Sequence, residues 1–589
     1  MLAPRLTPLH SSLLLALFAG LLSLIGAQGF FVGDDYDFLL KASAMGGWAD
    51  AARMTFWGEW EPVLYLSWYL DYRWWHFNPL GYHLTSTLLF GAAVIGLFWL
   101  VRSVWPQAPL AAWAAALLFA SHPVHDEAVL YLVAARGHLW STALAVLTLL
   151  LYARARLHAV TRSGRACLLA AALTLAFLAA LAKETALTLA VWIGILEWSL
   201  VHKPRSAWRA FASGIGAGVL FLAAAAASMA LRYQIVGFHS NKLRGISDDV
   251  GALHHRLLEE LPVYTLVGAV PLPFGWLDYP TAQRFRVLGW AVLATALLGG
   301  AAALWVTAFQ RQRLSPALSL CAIGLIIAVV SLAPVFWADL PIRRRYLYAP
   351  SVGIVLIAAG LLQGAARHFP RAVRALLAVL VVVGGGVMVQ RNLLYLRSGE
   401  VARNLIETAR GSPVDHPPER ASGRPPRIAL LTLPRSYGGD FLSGAYLLHE
   451  SDLSSAFRLF GVAQPSIDCA LRCYYAEDYH ASASYETDAL LRLTVSFRTQ
   501  VAFDAARQRN PRRDRRGRLL TAYLVSEEPE SRTLTYRVAL RRPFGQLPNE
   551  EILLYSDGSA YRLPAPPPPS DKPSPLVRPR EKRGQVPNS

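Results

Sequence analysis

The sequence has little charge and few cysteines. Only 16% of its 589 residues are charged, whereas soluble domains average about 25%. This shortage excludes a soluble multidomain enzyme, and an apolar content of 54% excludes a chain that is disordered throughout. Four cysteines exclude a disulfide-built scaffold. Two of them, Cys469 and Cys473, lie four residues apart in a polar region and could pair if that region is outside the cytoplasm.

The apolar residues fall in runs of the length that crosses a bilayer. A spanning helix needs about 20 such residues, and this length predicts about eleven spans. The first is interpreted as an anchor rather than a cleaved signal peptide, because no A-x-A site follows it and more spans do. The spans are expected near 10–29, 79–101, 107–121, 138–153, 167–182, 186–201, 210–232, 286–308, 315–336, 346–364 and 372–390.

The basic residues give these spans an orientation. With the N-terminus in the cytoplasm, every inner loop carries Arg or Lys, as the positive-inside rule requires. An odd number of spans then places everything after residue 390 on the extracytoplasmic face. The net charge of +18 therefore reflects topology, and no nucleic-acid motif accompanies it. Since Arg greatly outnumbers Lys, as in GC-rich bacterial genomes, we expect a multi-pass protein of a bacterial inner membrane.

The chain changes character after residue 400. Hydrophobic runs shorten to strand length at Arg427–Leu433, Ala489–Ser496 and Leu519–Leu524, with turn residues between them. The fold class expected is therefore an α-helical polytopic membrane protein with an extracytoplasmic β-rich or α+β domain. The expected boundaries are 1–395 for the membrane domain, 396–563 for the outer domain and 564–589 for a disordered Pro-rich tail.

Two acidic segments lie at the outer ends of predicted spans. Asp34 and Asp35 follow the first span and could hold a cation or take a proton from an acceptor hydroxyl. Farther along, His122, His125 and Glu127 could bind a divalent metal such as Mg or Mn, or form a hydrogen-bonded acid–base network. The same segment could instead simply begin an interfacial helix, because acidic residues suit a helix N-terminus.

Two basic segments lie on the same side. Lys183 and Glu184 end an apolar span, where they could cap the helix as an ion pair or position a phosphate. Arg343, Arg344 and Arg345 form a triplet on the outer face, against the positive-inside preference. Binding of an anionic group at the membrane surface would explain this position.

Taken together, these segments resemble the GT-C superfamily of integral-membrane glycosyltransferases that use lipid-linked sugars. The resemblance is to the protein O-mannosyltransferase-like branch, which includes the transmembrane TPR-containing O-mannosyltransferases, and it covers roughly residues 10–395. It differs in two respects: Glu61 stands where relatives commonly have Arg, and no TPR repeats follow the last span. The stretches that carry it are Asp34-Asp35, Glu61–Ser67, Phe77–Leu84, His122–Val129 with Arg136-Gly137, Lys183-Glu184 and Arg345–Gly353.

The resemblance implies a polyprenyl-phosphate sugar donor and an inverting transfer to a hydroxyl of a protein, glycan or lipid acceptor. Asp34 or Asp35 would be the general base. The Arg triplet, with Lys183, would hold the donor phosphate. His122, His125 and Glu127 would orient the first carboxylates or hold the metal. The remaining substrate contacts implied are Glu61, His83, Arg136, Glu184 and Tyr346.

Two other functions fit parts of the sequence. A transporter or flippase of lipid-linked saccharides would also need charges near its spans. In such a protein, however, the charges are expected near mid-membrane and the sequence is expected to contain inverted repeats. A scaffold that displays the C-terminal domain would leave the acidic pair, the His segment and the Arg triplet without a common purpose. The notable charges cluster at the outer ends of spans, which favours a glycosyltransferase.

Overall fold

The computed structural model describes a helical region and a strand-containing C-terminal region. The helical region comprises residues 7–200 except 57, 133 and 134, then 207–236, 256–269, 283–295, 298, 315–337 and 343–410. The C-terminal region comprises 427–437, 445–446, 450–459, 466–475, 479–487, 489–498, 503–504, 506–507, 515–516, 520–540, 550–556 and 559–563. The predicted tail at 564–589 lies outside the described residues.

The helical region begins with an apolar helix and a loop that contains short helices. Several helices start with proline at their first position, where the missing N–H costs nothing, as at Pro62, Pro79 and Pro109. These elements are α1 (Pro8–Leu24), α2 (Asp35–Ser43), α3 (Trp48–Arg53), α4 (Pro62–Trp75), α5 (Pro79–Val104), α6 (Pro109–Ala120), α7 (His125–Leu130), α8 (Arg136–Leu157) and α9 (Arg162–Ala182).

The later helices complete the membrane-type bundle. A 3-10 turn at Glu184–Thr188 precedes α10, and another at Arg344–Leu347 leads into α15. The helices are α10 (Leu189–Leu200), α11 (Ala207–Val236), α12 (Leu261–Ala269), α13 (Arg286–Thr295), α14 (Pro316–Trp337), α15 (Tyr348–Ala365) and α16 (Pro370–Arg410). One further helix, α17 (Glu450–Leu459), belongs to the C-terminal region.

Seven helices of the described chain are long and apolar enough to cross a membrane. They fall on predicted spans, so the polytopic helical class is confirmed. The runs predicted at 10–29, 107–121 and 186–201 form the shorter helices α1, α6 and α10. Part of the run predicted at 286–308 lies outside the described residues. The total of about eleven spans and their orientation stay predictions.

The C-terminal region contains two sheets, which confirms a strand-rich domain. In one, β1 (Arg427–Tyr437) pairs in parallel with β3 (Ser466–Tyr475) and β9 (Glu550–Ser556), and β10 (Ser559–Arg562) and β2 (Ala445–Tyr446) add antiparallel edges. The second is antiparallel, with strand order β4-β5-β8-β7-β6. Its strands are β4 (Tyr479–Thr487), β5 (Leu490–Phe497), β6 (Arg515–Arg516), β7 (Leu520–Glu528) and β8 (Thr533–Leu540).

The strand geometry excludes a disulfide between the two late cysteines, which the sequence had left open. Cys469 and Cys473 both lie on β3, in register with Leu430 and Pro434 of β1. Residues four apart on a strand are separated by roughly 13 Å, since each residue advances the chain by about 3.3 Å. A disulfide requires Cα atoms within about 7 Å. The pairing is therefore corrected: these two cysteines cannot bond to each other within this strand.

The C-terminal region contacts the first loop through two helices. The long helix α16 runs without interruption through the predicted boundary at residue 395, and Gly399 lies so close to the backbone of Phe30 that a Cβ would not fit. Helix α17 packs against α2, where Ser455 hydrogen-bonds to Asp37. Asn404 of α16 also accepts from the backbone N–H of Ala560 on β10 at 3.1 Å. The strand domain therefore lies on the same side as the loop that carries the acidic pair.

A close helix pair gives a test of this packing. A Cβ on Gly353 of α15 would overlap backbone atoms of Gly324 and Ala328 of α14, so Gly353→Ala forces the helices apart. We expect a loss of about 1–3 kcal/mol of stability, seen as a lower midpoint of thermal unfolding in detergent. Gly91→Ala of α5 is the matched control, since nothing lies within 4 Å of its added Cβ. Equal midpoints for the two variants would contradict the packing.

Candidate active site

The two adjacent aspartates of the first loop have different surroundings. Gly33, with φ of +52°, turns the chain into α2 just before them. Asp35 is fully buried, and its Oδ2 accepts the backbone N–H of Val32 at 3.2 Å. Asp34 is half-buried, and within the described chain its carboxylate has no hydrogen bond or ion pair. Of the two aspartates, Asp34 is therefore the one whose side chain is partly open to solvent.

The two histidines of the second loop are held by the protein. Nε2 of His122 donates to the carbonyl of Gly268 in α12 at 3.0 Å, and its Nδ1 accepts the N–H of Val124 at 3.4 Å. Nε2 of His125 lies 2.7 Å from Oγ of Ser351 in α15. Burial lowers the pKa of His122 to about 4 and that of His125 well below its usual value. Both rings are therefore neutral near pH 7.

The acidic residues of the second loop pair with the arginine triplet. Oδ2 of Asp126 lies 3.0 Å from Nη2 of Arg344 and 4.0 Å from Nε of Arg391. Both carboxylate oxygens of Glu127 accept hydrogen bonds from Arg345, one from its backbone N–H and one from its Nη1, each at 3.1 Å. All of these side chains except Arg345 are almost entirely buried. The two segments that the sequence predicted separately therefore form one ion-pair network.

Arg345 reaches the edge of this network and lies against α7. Its side chain is 15% exposed, and its guanidinium lies 5.6 Å from the ring centre of Tyr131 and 5.4 Å from that of Tyr346. Such distances are typical of cation–π contacts. The hydroxyl of Tyr131 accepts the backbone N–H of Asp34 at 2.9 Å. The backbone of Asp34 thus contacts the hydroxyl of this tyrosine, and Arg345 contacts its ring.

The first member of the triplet is anchored through its backbone. The N–H of Arg343 donates to the hydroxyl of Tyr264 in α12 at 3.3 Å, and its side chain is half-buried. Since His122 is also bonded to α12, this helix holds both loops of the site. Tyr346, another predicted contact, is buried with its ring 5.5 Å from that of His138.

Lys183 lies at the centre of a second charge cluster. Its Nζ is 2.5 Å from Glu61, 3.2 Å from Glu59 and 3.6 Å from Glu184, and Arg232 lies 3.4 Å from Glu184. Three carboxylates therefore share two cations. Burial, opposed by Lys183, raises the pKa of Glu61 to about 7. Burial lowers the pKa of Lys183, but the three carboxylates outweigh it and hold that pKa well above its usual value.

The described residues do not fit the metal site expected at His122, His125 and Glu127. Each of the three already bonds protein groups, and their ligand atoms do not gather within metal-binding distance. The described carboxylates that do gather are Glu59, Glu61 and Glu184, within 4.8 Å of one another. The ammonium of Lys183 hydrogen-bonds Glu59 and Glu61 and forms an ion pair with Glu184, so this cluster already contains a cation of its own.

Two further predicted contacts lie in the packed interior. Arg136 forms a buried ion pair with Asp71, and its Nη2 donates to the carbonyl of Tyr82 at 2.9 Å. Nε2 of His83 donates to the carbonyl of Gly29 at 3.2 Å. Both side chains therefore hold the first loop against α5, and their role in binding substrate stays a prediction.

Four residues of these networks that were not predicted as site residues are Asp71, Glu59, Tyr131 and Arg391. Asp71 and Glu59 are two of several acidic residues between residues 30 and 78, and the sequence does not distinguish them from the others. Tyr131 carried no signal, because a tyrosine in an apolar run is usually a packing residue. Arg391 follows the end of the last predicted span, and a basic residue at a span end is ordinary. Its burial against Asp126 is visible only in three dimensions.

The Glu61 carboxyl predicts a pH dependence of stability. Its pKa is about 7 in the folded protein and near 4.5 without the fold. Between these values the folded state binds a proton that the unfolded state lacks. The stability contributed by Glu61 is thus fully present below about pH 4.5 and is lost as the pH rises through about 7. Glu61→Gln should therefore shrink the fall in the thermal midpoint between about pH 5 and about pH 8.

Asp50→Asn gives the matched control for this measurement, since Asp50 is an exposed acid of the same loop. It should leave the pH dependence as in the wild-type protein. If Glu61→Gln and Asp50→Asn both follow the wild-type curve, then Glu61 does not take up a proton on folding.

Comparison with known proteins confirms a similarity over part of the chain. No protein-family model matches the sequence. Two proteins of Drosophila melanogaster, the protein O-mannosyl-transferases Tmtc1 and Tmtc2, are each 35% identical to it, over 180 and 185 residues. The matches cover 28% of this chain, and 20% and 19% of the two relatives. The chain thus spans about a fifth of the length of the curated relatives it matches.

Solved structures give weaker likenesses. The oligosaccharyltransferase of Archaeoglobus fulgidus aligns with 77% of this chain and 64% of its own, at 12% identity and a TM-score of 0.43. ArnT from Cupriavidus metallidurans, bound to undecaprenyl phosphate, aligns with 89% of this chain and 97% of its own, at 11% identity and a TM-score of 0.35. Scores of this size do not establish a common fold. The sequence matches nevertheless confirm the predicted resemblance of this chain to the protein O-mannosyltransferases over the matched residues.

Proposed function

We propose that this protein is a membrane glycosyltransferase that moves a sugar from a polyprenyl-phosphate donor to an acceptor hydroxyl on the extracytoplasmic face. One observation carries the proposal: the backbone of Asp34, whose carboxylate has no partner among the described residues, and the guanidinium of Arg345 contact one tyrosine, at its hydroxyl and at its ring. The similarity to proteins named protein O-mannosyl-transferase supports the same class of reaction.

The chemistry needs a base and a cation at the two ends of the reacting bond. Asp34 takes the proton from the acceptor hydroxyl as its oxygen forms a bond to the anomeric carbon. The bond from that carbon to the phosphate oxygen breaks, and its electron pair leaves with the polyprenyl phosphate. Arg345, with Arg343 beside it, binds the charge that grows on the phosphate. Attack opposite the leaving group inverts the configuration at the anomeric carbon.

The remaining arginine of the triplet supports the other two. Arg344 is 1% exposed and pairs with Asp126, which Arg391 also approaches. A buried guanidinium with a carboxylate partner is ill-placed to bind a lipid phosphate, because exchange would leave Asp126 unpaired. In the proposed site, Arg344 therefore holds in place the turn that carries Arg343 and Arg345.

The acceptor reaches the site beside the C-terminal domain. Helix α17 packs on α2, the helix that starts at the acidic pair. Burial raises the pKa of Asp37 on α2, although its bond to Ser455 opposes that shift. A protein, glycan or lipid acceptor would therefore pass the C-terminal domain to reach Asp34. In the proposed function the protein lies in a bacterial inner membrane, with its C-terminal domain outside the cytoplasm.

The transporter alternative finds no comparable support. Arg156 of α8 and Glu197 of α10 lie in the last turns of their helices and bond each other at 2.5 and 2.8 Å. Tyr152 and Ser213 also donate to Glu197. These charges satisfy one another at helix ends and do not line a passage across the membrane.

The base assignment is tested by Asp34→Asn. Loss of a general base lowers the rate about 10²- to 10⁴-fold, so transfer from a polyprenyl-phosphate sugar in isolated membranes should fall by at least about 100-fold. Asp50→Asn, at an exposed position of the same loop, is the control. Full activity of Asp34→Asn would exclude Asp34 as the base.

The donor contact is tested by Arg345→Gln, which should raise the KM for the polyprenyl-phosphate donor by about 10- to 100-fold, as expected when a charge-assisted contact is lost. The change also leaves Glu127 buried without its cation, so the double variant Arg345→Gln/Glu127→Gln keeps the site neutral. An unchanged donor KM in a stable double variant would remove Arg345 from the phosphate site.

A further inference from the structure

We propose that Tyr131 is a positioning residue that sets the separation between the base Asp34 and the phosphate-binding Arg345. This inference rests on the proposed function and adds to it a residue that bears no charge. Tyr131 is 1% exposed and follows the last residue of α7, where its backbone N–H donates to the carbonyl of Glu127 at 3.2 Å. The residue is therefore fixed before it contacts either partner.

The hydroxyl of Tyr131 holds the backbone at the base. It accepts the N–H of Asp34 at 2.9 Å, across 97 residues of sequence. This N–H belongs to the residue that precedes the first turn of α2, so its bond sets where that helix begins. The carboxylate of Asp34 projects from the same residue, and its position follows the position of this backbone. No other bond of Asp34 to a described side chain competes with this one.

The ring of Tyr131 supports the guanidinium. Arg345 lies over the ring at 5.6 Å, while Glu127, one helical turn earlier, holds the edge of the guanidinium. Glu127 takes one Nη1 donor of a guanidinium that carries five N–H groups, so a donor phosphate would bind Arg345 beside Glu127 and leave that buried ion pair intact. The contact with the ring uses none of these N–H groups as a hydrogen bond to oxygen. Tyr131 therefore keeps Arg345 in place both before and after the phosphate binds.

The reaction makes this separation important. The acceptor oxygen and the leaving phosphate must lie on opposite sides of the anomeric carbon, so the distance from base to cation is set by one sugar ring. A misplacement of about 1 Å can lower a rate about 100-fold. A residue that contacts both groups fixes this distance more directly than two separate anchors, because the base and the cation then move together when the loop that holds Tyr131 moves.

Two substitutions separate the roles of the hydroxyl and the ring. Tyr131→Phe keeps the ring over Arg345 and removes only the acceptor for the Asp34 N–H. We expect kcat to fall about 10- to 100-fold with the donor KM changed by less than about twofold. Tyr131→Leu removes both contacts and should also raise the donor KM about tenfold or more. Tyr152→Phe is the matched control, because Tyr152 is a buried tyrosine whose hydroxyl bonds Glu197 away from the site.

A binding measurement separates positioning from general damage to the fold. Binding of polyprenyl phosphate without sugar, followed by the rise in thermal midpoint of the purified full chain, should be normal in Tyr131→Phe and weakened in Tyr131→Leu. A merely structural tyrosine would lower the midpoint in both variants without this split between kcat and KM. Full activity in Tyr131→Phe, or normal lipid binding in Tyr131→Leu, would overturn the inference.

The same experiment distinguishes this inference from the proposed function. If Asp34→Asn is inactive while Tyr131→Phe has the wild-type kcat, the glycosyltransferase assignment stands and the role of Tyr131 is wrong. If Asp34→Asn and Arg345→Gln both retain full transfer, the proposed function itself fails, and the inference about Tyr131 fails with it.

Discussion

The arrangement of the candidate site depends on two adjacent carboxylates that bind two adjacent arginines. Asp126 and Glu127 pair with Arg344 and Arg345, and three of these four side chains are at most 1% exposed. Removing such charges from water costs several kcal/mol each unless they are paired. The docking of the short helix α7 on the turn at 343–347 therefore pairs the buried charges of both segments.

This docking explains why distant parts of the chain meet. Once α7 is fixed, Tyr131 at its end reaches the first loop, and His122 and His125 at its start reach α12 and α15. On the other side, Arg391 of α16 approaches Asp126. The contacts of His125 and Arg391 join this loop to α15 and α16, two helices long enough to cross a membrane, so these helices help to fix the position of the site.

The sequence predicted the parts of this arrangement that depend on local pattern. Runs of apolar residues gave the long helices, and short alternating runs gave β1, β5 and β7, because burial against lipid or a sheet face leaves a periodic signature. It also placed the acidic pair, the His segment and the Arg triplet on one side. It did not predict that Asp126 and Glu127 neutralise Arg344 and Arg345, since charges 218 residues apart carry no mark of their partner.

The same limit explains the remaining differences. A tyrosine in an apolar run is usually a packing residue, so the hydrogen bond between the Tyr131 hydroxyl and the N–H of Asp34 could not be predicted. The cysteines Cys469 and Cys473 are close in sequence, but an extended strand separates them because it advances the chain by about 3.3 Å per residue. Spacing predicts a contact only where the local structure is already known, and here that structure is a strand.

The cluster around Lys183 shows how the chain balances charge at the membrane surface. Glu59, Glu61 and Glu184 lie close enough together to repel one another strongly, and a divalent cation is the usual remedy. Here the ammonium of Lys183 forms ion pairs with all three, and Arg232 adds a second cation at Glu184. Two cations against three carboxylates leave one negative charge in excess, which is why burial can raise the pKa of Glu61 to about 7. The positive charge that holds the first loop to the end of α9 therefore belongs to a side chain of the protein, Lys183. The attraction between Lys183 and Glu61 weakens when Glu61 takes up a proton, so the strength of this contact depends on pH.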